Sequence, residues 1–136
     1  MFLKIDHVAV IVPDLDAAID LYQNTFSVEI HSRERNEKEG FDIASFSIGD
    51  SHFELLSPFR ADSVISGVLE KRGPGIHHVA IEVADIQKSI AVIKDKGLKL
   101  TSDTPKTGSN ETLISFIHPK SLYGTMLELV EIPDKE

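Results

Sequence analysis

His7-Val8-Ala9-Val10-Ile11-Val12-Pro13-Asp14-Leu15 returns 71 residues later as His78-Val79-Ala80-Ile81-Glu82-Val83-Ala84-Asp85-Ile86, and Ile19 still meets Ile90 at that offset. Six of the thirteen positions 7–19 are identical in the second copy. Self-similarity at a fixed offset marks a duplicated structural unit. In each copy a β-rich apolar run gives way to an aspartate suited to capping a helix. Apolar residues then recur at helical spacing: Leu15, Ala18, Ile19 and Tyr22 in the first copy, Ile86, Ile90 and Ile93 in the second.

Working outward, the second helix stops at Lys96-Gly97, a basic last turn followed by a glycine cap. Strand patterns follow each helix, over 28–33, 41–48 and 51–57 in the first half and 98–101, 111–117 and 124–131 in the second. Gly49-Asp50 fits a hairpin turn between two of them. Segment 62–72 reads as a short linking helix ending near Arg72-Gly73-Pro74-Gly75. Each half is thus βαβββ. One such unit cannot bury both faces of its strands, so two must pack together. The expected fold class is α+β: one domain over 1–136 made of two βαβββ repeats related by a pseudo-two-fold, repeat one about 3–58, a linker about 59–74, and repeat two about 75–132.

The bulk properties narrow the function. With 136 residues and 41% apolar side chains the chain can bury a core. No run approaches the roughly 18 apolar residues a membrane helix needs. The start, Met1 to His7, lacks a basic leader and a cleavage site. Cysteine is absent, which removes disulfides, thiolate ligands and a cysteine nucleophile and fits a cytoplasmic protein. A net charge of −8 argues against nucleic acid as partner, since no basic stripe can displace phosphate counterions.

Strand alternation then points to chemistry. In the first strand Val8, Val10 and Val12 face the helix, and His7, Ala9 and Ile11 face away; His78 has the parity of His7. On the closing strands Glu54 sits between Phe53 and Leu55, and Glu128 between Leu127 and Leu129. A lone strand histidine is usually structural, and a lone strand glutamate usually faces solvent. Here all four recur at matching places in two copies. Two imidazoles and two carboxylates, brought together by pseudo-two-fold symmetry on a concave surface, make a nitrogen and oxygen set for a divalent first-row metal. His77 has the opposite parity, and His31 and His52 have no counterpart in the other repeat, so these three read as structural or surface residues.

Three phrases carry a resemblance: Ile5-Asp6-His7-Val8-Ala9, Gly75-Ile76-His77-His78-Val79-Ala80 and Phe116-Ile117-His118-Pro119-Lys120-Ser121, with a linker-like stretch from Ser57-Pro58 to Gly73. Over nearly its whole length the chain resembles the vicinal oxygen chelate superfamily, and within it most resembles the methylmalonyl-CoA epimerases. The resemblance implies metal ligands at His7, Glu54, His78 and Glu128. It implies a divalent cofactor, cobalt first and nickel, manganese or zinc as alternatives. It also implies inversion of an α-carbon by proton transfer through a metal-stabilised enolate. That inversion needs a base and an acid on opposite faces. Some epimerases carry a glutamate, proposed as base, where this chain has Ile43, so Glu54 and Glu128 are the expected carboxylates for both roles. Lys120 and Ser121 are the expected coenzyme A contacts, with Lys106 and Arg72 behind them. The partners implied are an acyl-CoA and a second copy of the chain as a homodimer. A lyase of the glyoxalase I kind and a metal-free binding protein of the same fold remain the alternatives.

Overall fold

The computed structural model of the protein describes residues 1–102 and 104–133. Eight strands and three α-helices run in the order β1 (Phe2–Ile11), α1 (Leu15–Phe26), β2 (Ser32–Asn36), β3 (Phe41–Ile48), β4 (Ser51–Pro58), α2 (Ser66–Arg72), β5 (Gly75–Val83), α3 (Ile86–Asp95), β6 (Lys106–Thr107), β7 (Leu113–Ile117) and β8 (Leu127–Glu131). The βαβββ order of both halves matches the sequence reading, with α2 as the link. Two compact units emerge, Val8–His77, and Met1–His7 together with His78–Glu136. The first seven residues therefore group with the second repeat, where the His7 ring meets the His78 ring at 5.2 Å.

In the unit Val8–His77, β2, β3 and β4 form an antiparallel meander closed by the two-residue turn Gly49-Asp50. Asp14 caps α1 by accepting from the Ala17 N–H at 3.1 Å. The helix lays Leu15 and Ile19 on Ala44 and Leu55, with Val10, Val12 and Phe53 beside them. Ala9, Ile11, Phe41 and Leu56 pack on the other face with Ile65 and, from α2, Val68 and Leu69. The alternation expected of β1 and β4 therefore holds: Glu54 stands on the face opposite to Phe53 and Leu55.

In the other unit the strand order is β5-β8-β7-β6, with β5 parallel to β8 and the remaining pairs antiparallel. Asp85 caps α3 through the Lys88 N–H at 3.0 Å, and Gly97 ends it at φ +81. Val83, Ile86, Ile90, Ile93, Ile117 and Leu129 form the core beneath α3. Burying Leu127 and Leu129 towards the helix turns Glu128 to the opposite face.

Several boundaries depart from the sequence reading. The expected strand 28–33 begins only at Ser32, because α1 runs to Phe26 and Ser27 caps it in the left-handed conformation at φ 56. The expected strand 98–101 shrinks to a single bridge, Leu100↔Ile117. The strand beside β7 is instead Lys106–Thr107. The linking helix starts at Ser66 rather than 62, after turns at 61–65.

The β2–β3 turn is pinned by Arg60, which donates to the Glu37 carbonyl at 2.5 Å and the Lys38 carbonyl at 2.9 Å. Phe59 lies under Arg35 at 3.9 Å and near Arg60 at 5.3 Å. Gly40, at φ +82, admits this arrangement, since a Cβ there would meet the Ser63 Cα and the Arg60 Nε at 3.0 Å. Gly49 also has positive φ but open space around it. Gly40→Ala should therefore cost about 1–3 kcal/mol and measurably more than Gly49→Ala. Urea unfolding midpoints of the two variants check the ranking.

Candidate metal and active site

The site is built from three neighbouring chain segments. β5 and β8 pair in parallel with Ala80 opposite Glu128. His78 stands two residues before Ala80, so its ring shares the Glu128 face. The first residues of β1 bring His7 to the same place. His7, His78 and Glu128 are 9%, 8% and 5% exposed, values far below those of surface residues of these types.

Their polar atoms converge. His7 Nε2 lies 3.2 Å from His78 Nε2 and 3.2 Å from Glu128 Oε1, and His78 Nε2 lies 2.9 Å from that oxygen. Metal bonds of about 2.0–2.2 Å, at angles between octahedral and tetrahedral, separate ligand atoms by roughly 2.9–3.5 Å. The three donors fit that requirement, and as a group they could hold a metal ion.

Asp6 adds orientation. Its Oδ2 lies 2.8 Å from His7 Nδ1. An ionised carboxylate only accepts, so Nδ1 carries a proton and Nε2 is the nitrogen turned to His78 and Glu128, able to bind a metal through its lone pair or, when protonated, to donate to Glu128. A carboxylate behind a ligating imidazole both fixes the tautomer and raises its basicity.

Burial alone would push the Glu128 carboxyl up, but hydrogen bonds from His7 and His78, together with their charges, outweigh it and hold the group lowered to about 2. The carboxylate is thus an anion throughout the physiological range.

The remaining predicted residues fall as follows. Glu54 belongs to the unit Val8–His77, half-buried on β4 opposite Ser45. There the Val12 N–H donates to the Leu56 carbonyl at 2.8 Å. Ile43 packs with the Ala9 and Leu56 cluster. Lys120 is exposed on the turn Pro119–Ser121, and the Ser121 hydroxyl accepts from the Lys99 N–H at 3.0 Å. His31 and His52, read as structural or surface residues, contact each other with ring centroids 5.6 Å apart. Sequence reasoning missed Asp6 and Phe116. Asp6 stood inside a quoted phrase, and a carboxylate beside a ligand-type histidine was the available signal. Phe116 sets its ring edge-on to His78 at 5.5 Å and pairs with Glu128 in register.

Residues 6–116 match the model of the glyoxalase/bleomycin resistance protein/dioxygenase superfamily. The chain is 35% identical to an ethylmalonyl-CoA/methylmalonyl-CoA epimerase of Cereibacter sphaeroides, over 97% of this chain and 100% of that protein. A solved methylmalonyl-CoA epimerase in complex with methylmalonyl-CoA and NH4+ superposes with a TM-score of 0.91 at 37% identity, covering 100% of this chain and 99% of that one. A Streptomyces coelicolor methylmalonyl-CoA epimerase variant in complex with 2-nitronate-propionyl-CoA gives 0.91 at 36% identity, covering 98% and 100%. The chain belongs to the glyoxalase/bleomycin resistance protein/dioxygenase superfamily and, within it, to the methylmalonyl-CoA epimerase family.

Two outcomes follow from the geometry. Asp6→Asn should weaken divalent-metal affinity about 10- to 100-fold, since the amide no longer dictates the His7 tautomer; competition with a chromogenic chelator measures it. The Glu128 anion contributes stability that is present above its unfolded pKa near 4.5 and is lost as pH falls towards 2. Metal-free wild type should thus lose stability relative to Glu128→Gln as pH falls through that window, read from urea unfolding at pH 6 and below.

Proposed function

We propose that this chain is a metal-dependent epimerase inverting the α-carbon of methylmalonyl-CoA. The observation that carries the reading is the convergence of His7, His78 and Glu128 in a chain of this family. His7, His78, Glu128 and, from β4, Glu54 would hold the metal. A divalent cation held by these residues supplies Lewis acidity to the negative charge that develops on the thioester oxygen as the α-proton leaves. Cobalt is our first candidate, ahead of nickel, manganese and zinc, since a nitrogen and oxygen donor set suits all four.

The residues themselves move the proton. Inversion needs a group that accepts it on one face and a group that returns it on the other. With Ile43 unable to do either, Glu54 and Glu128 take these roles, each from the same place in its repeat. The low proton affinity of Glu128 suits it to ligation first and to proton exchange second. Lys120, exposed beside Ser121, holds the coenzyme A phosphates against the chain's net charge of −8. A homodimer fits the apolar side chains exposed on the outer half of β1, Phe2, Leu3 and Ile5. A cytoplasmic location fits the absence of cysteine.

Proton exchange at C2 of methylmalonyl-CoA in deuterated water tests the activity directly, and a metal-loaded protein that exchanges nothing would refute it. Glu54→Gln and Glu128→Gln should each keep the metal yet lose epimerisation, because an amide can ligate but cannot accept the proton. Normal turnover in metal-loaded Glu54→Gln would move that role elsewhere. Lys120→Ala should raise KM several-fold at constant kcat, as loss of a remote phosphate contact weakens ground and transition states alike.

A further inference from the structure

A cation stands on the same sheet face as the trio, two strands away. In the order β5-β8-β7-β6, Glu128 pairs with Phe116, and Ile114 pairs with Lys106. Antiparallel partners share a face, and so do residues two apart on a strand. Lys106, Ile114, Phe116, Glu128 and His78 therefore point the same way. The Lys106 Nζ lies 5.8 Å from the centre of the Phe116 ring, and the far side of that contact leads to His78, whose ring meets the edge of Phe116 at 5.5 Å. An aromatic face steers an ammonium group and strips part of its hydration. Phe116 so holds the charge of Lys106 near the site.

Two strand spacings and a two-residue diagonal separate the Lys106 Cα from the Glu128 Cα by about 12 Å. A lysine stem covers about half of that span, which leaves room for one small anionic group beside the trio. The proposed substrate brings such a group. Its carboxylate enters a site where the charge of a bound dication would already be balanced by the Glu54 and Glu128 anions, in a chain of net charge −8, so a further cation close by favours it. Lysine suits the task, being a compact charge on a flexible stem that can follow a carboxylate as it seats.

We infer that Lys106, seated on Phe116, is a specificity residue that recognises the free carboxylate of the acyl group and so distinguishes malonyl-type thioesters from simple acyl thioesters. This rests on the epimerase reading above. The probes are methylmalonyl-CoA and propionyl-CoA, which differ only in that carboxylate, titrated calorimetrically into metal-loaded wild type, Lys106→Met and Lys106→Arg. The wild type should prefer methylmalonyl-CoA. Lys106→Met should weaken methylmalonyl-CoA at least tenfold and leave propionyl-CoA within about twofold, and Lys106→Arg should restore most of the preference. Equal weakening of both thioesters would overturn the inference and assign Lys106 to the coenzyme A phosphates. A wild-type preference that Lys106→Met does not alter would also overturn it. Wild type that binds neither thioester would instead overturn the epimerase reading itself. Lys106 is exposed on a two-residue strand, so the variants should fold normally; circular dichroism and unchanged metal content verify this.

Discussion

A carboxylate buried as an anion is the constraint on which the rest of the site depends. Removing Glu128 from water costs several kcal/mol unless opposite charge and hydrogen bonds surround it. Here two imidazole nitrogens, brought by β1 and β5, stand within 3.2 Å of one of its oxygens. Strand geometry makes this affordable. β8 buries Leu129 under α3 and so must turn Glu128 the other way, where β5 presents His78. The apolar layer beneath the helix and the polar cluster on the opposite face are two results of one alternation.

The same alternation explains why so much was legible in the sequence. The face of His7, His78 and Glu128 follows from which neighbours are apolar, and the repeat tells which histidines to choose. The caps were equally visible, since Asp14 and Asp85 each accept from a first-turn amide as their positions imply. What escaped was set by contacts distant in sequence. The start of β2 depends on how far α1 continues, and Val28, Glu29 and Ile30 would suit a strand on local preference alone. Leu100 has a strand-like neighbourhood yet makes one bridge, because β7 is met again only at Lys106 and Thr107. Phe116 read as part of an apolar run, and nothing local revealed that its ring would stand between a histidine and a lysine.

Ile43 marks a chemical difference within the family resemblance. It faces Leu56 across the β3–β4 ladder and packs with Ala9, Ile11 and Phe41. That environment favours a hydrocarbon and would raise the proton affinity of any carboxylate placed there. On the reading proposed above, proton transfer falls instead to Glu54 and Glu128, which hold matched positions in the two repeats. The Arg60 clamp fixes the turn that precedes β3, so Ile43 is held in its register rather than free to give way to a neighbour.

His7 and Asp14 stand seven residues apart, and His78 and Asp85 repeat that interval. One end of the interval faces the site and the other begins a helix, with a strand between them whose faces alternate at every step. A single inserted or deleted residue would turn the histidine into the apolar layer while leaving the helix in place. Changes in chain length during divergence are therefore barred from these two intervals. They can accumulate instead in the turns between α2 and β4 and in the segment joining α3 to β7, where no side chain of the trio depends on the count.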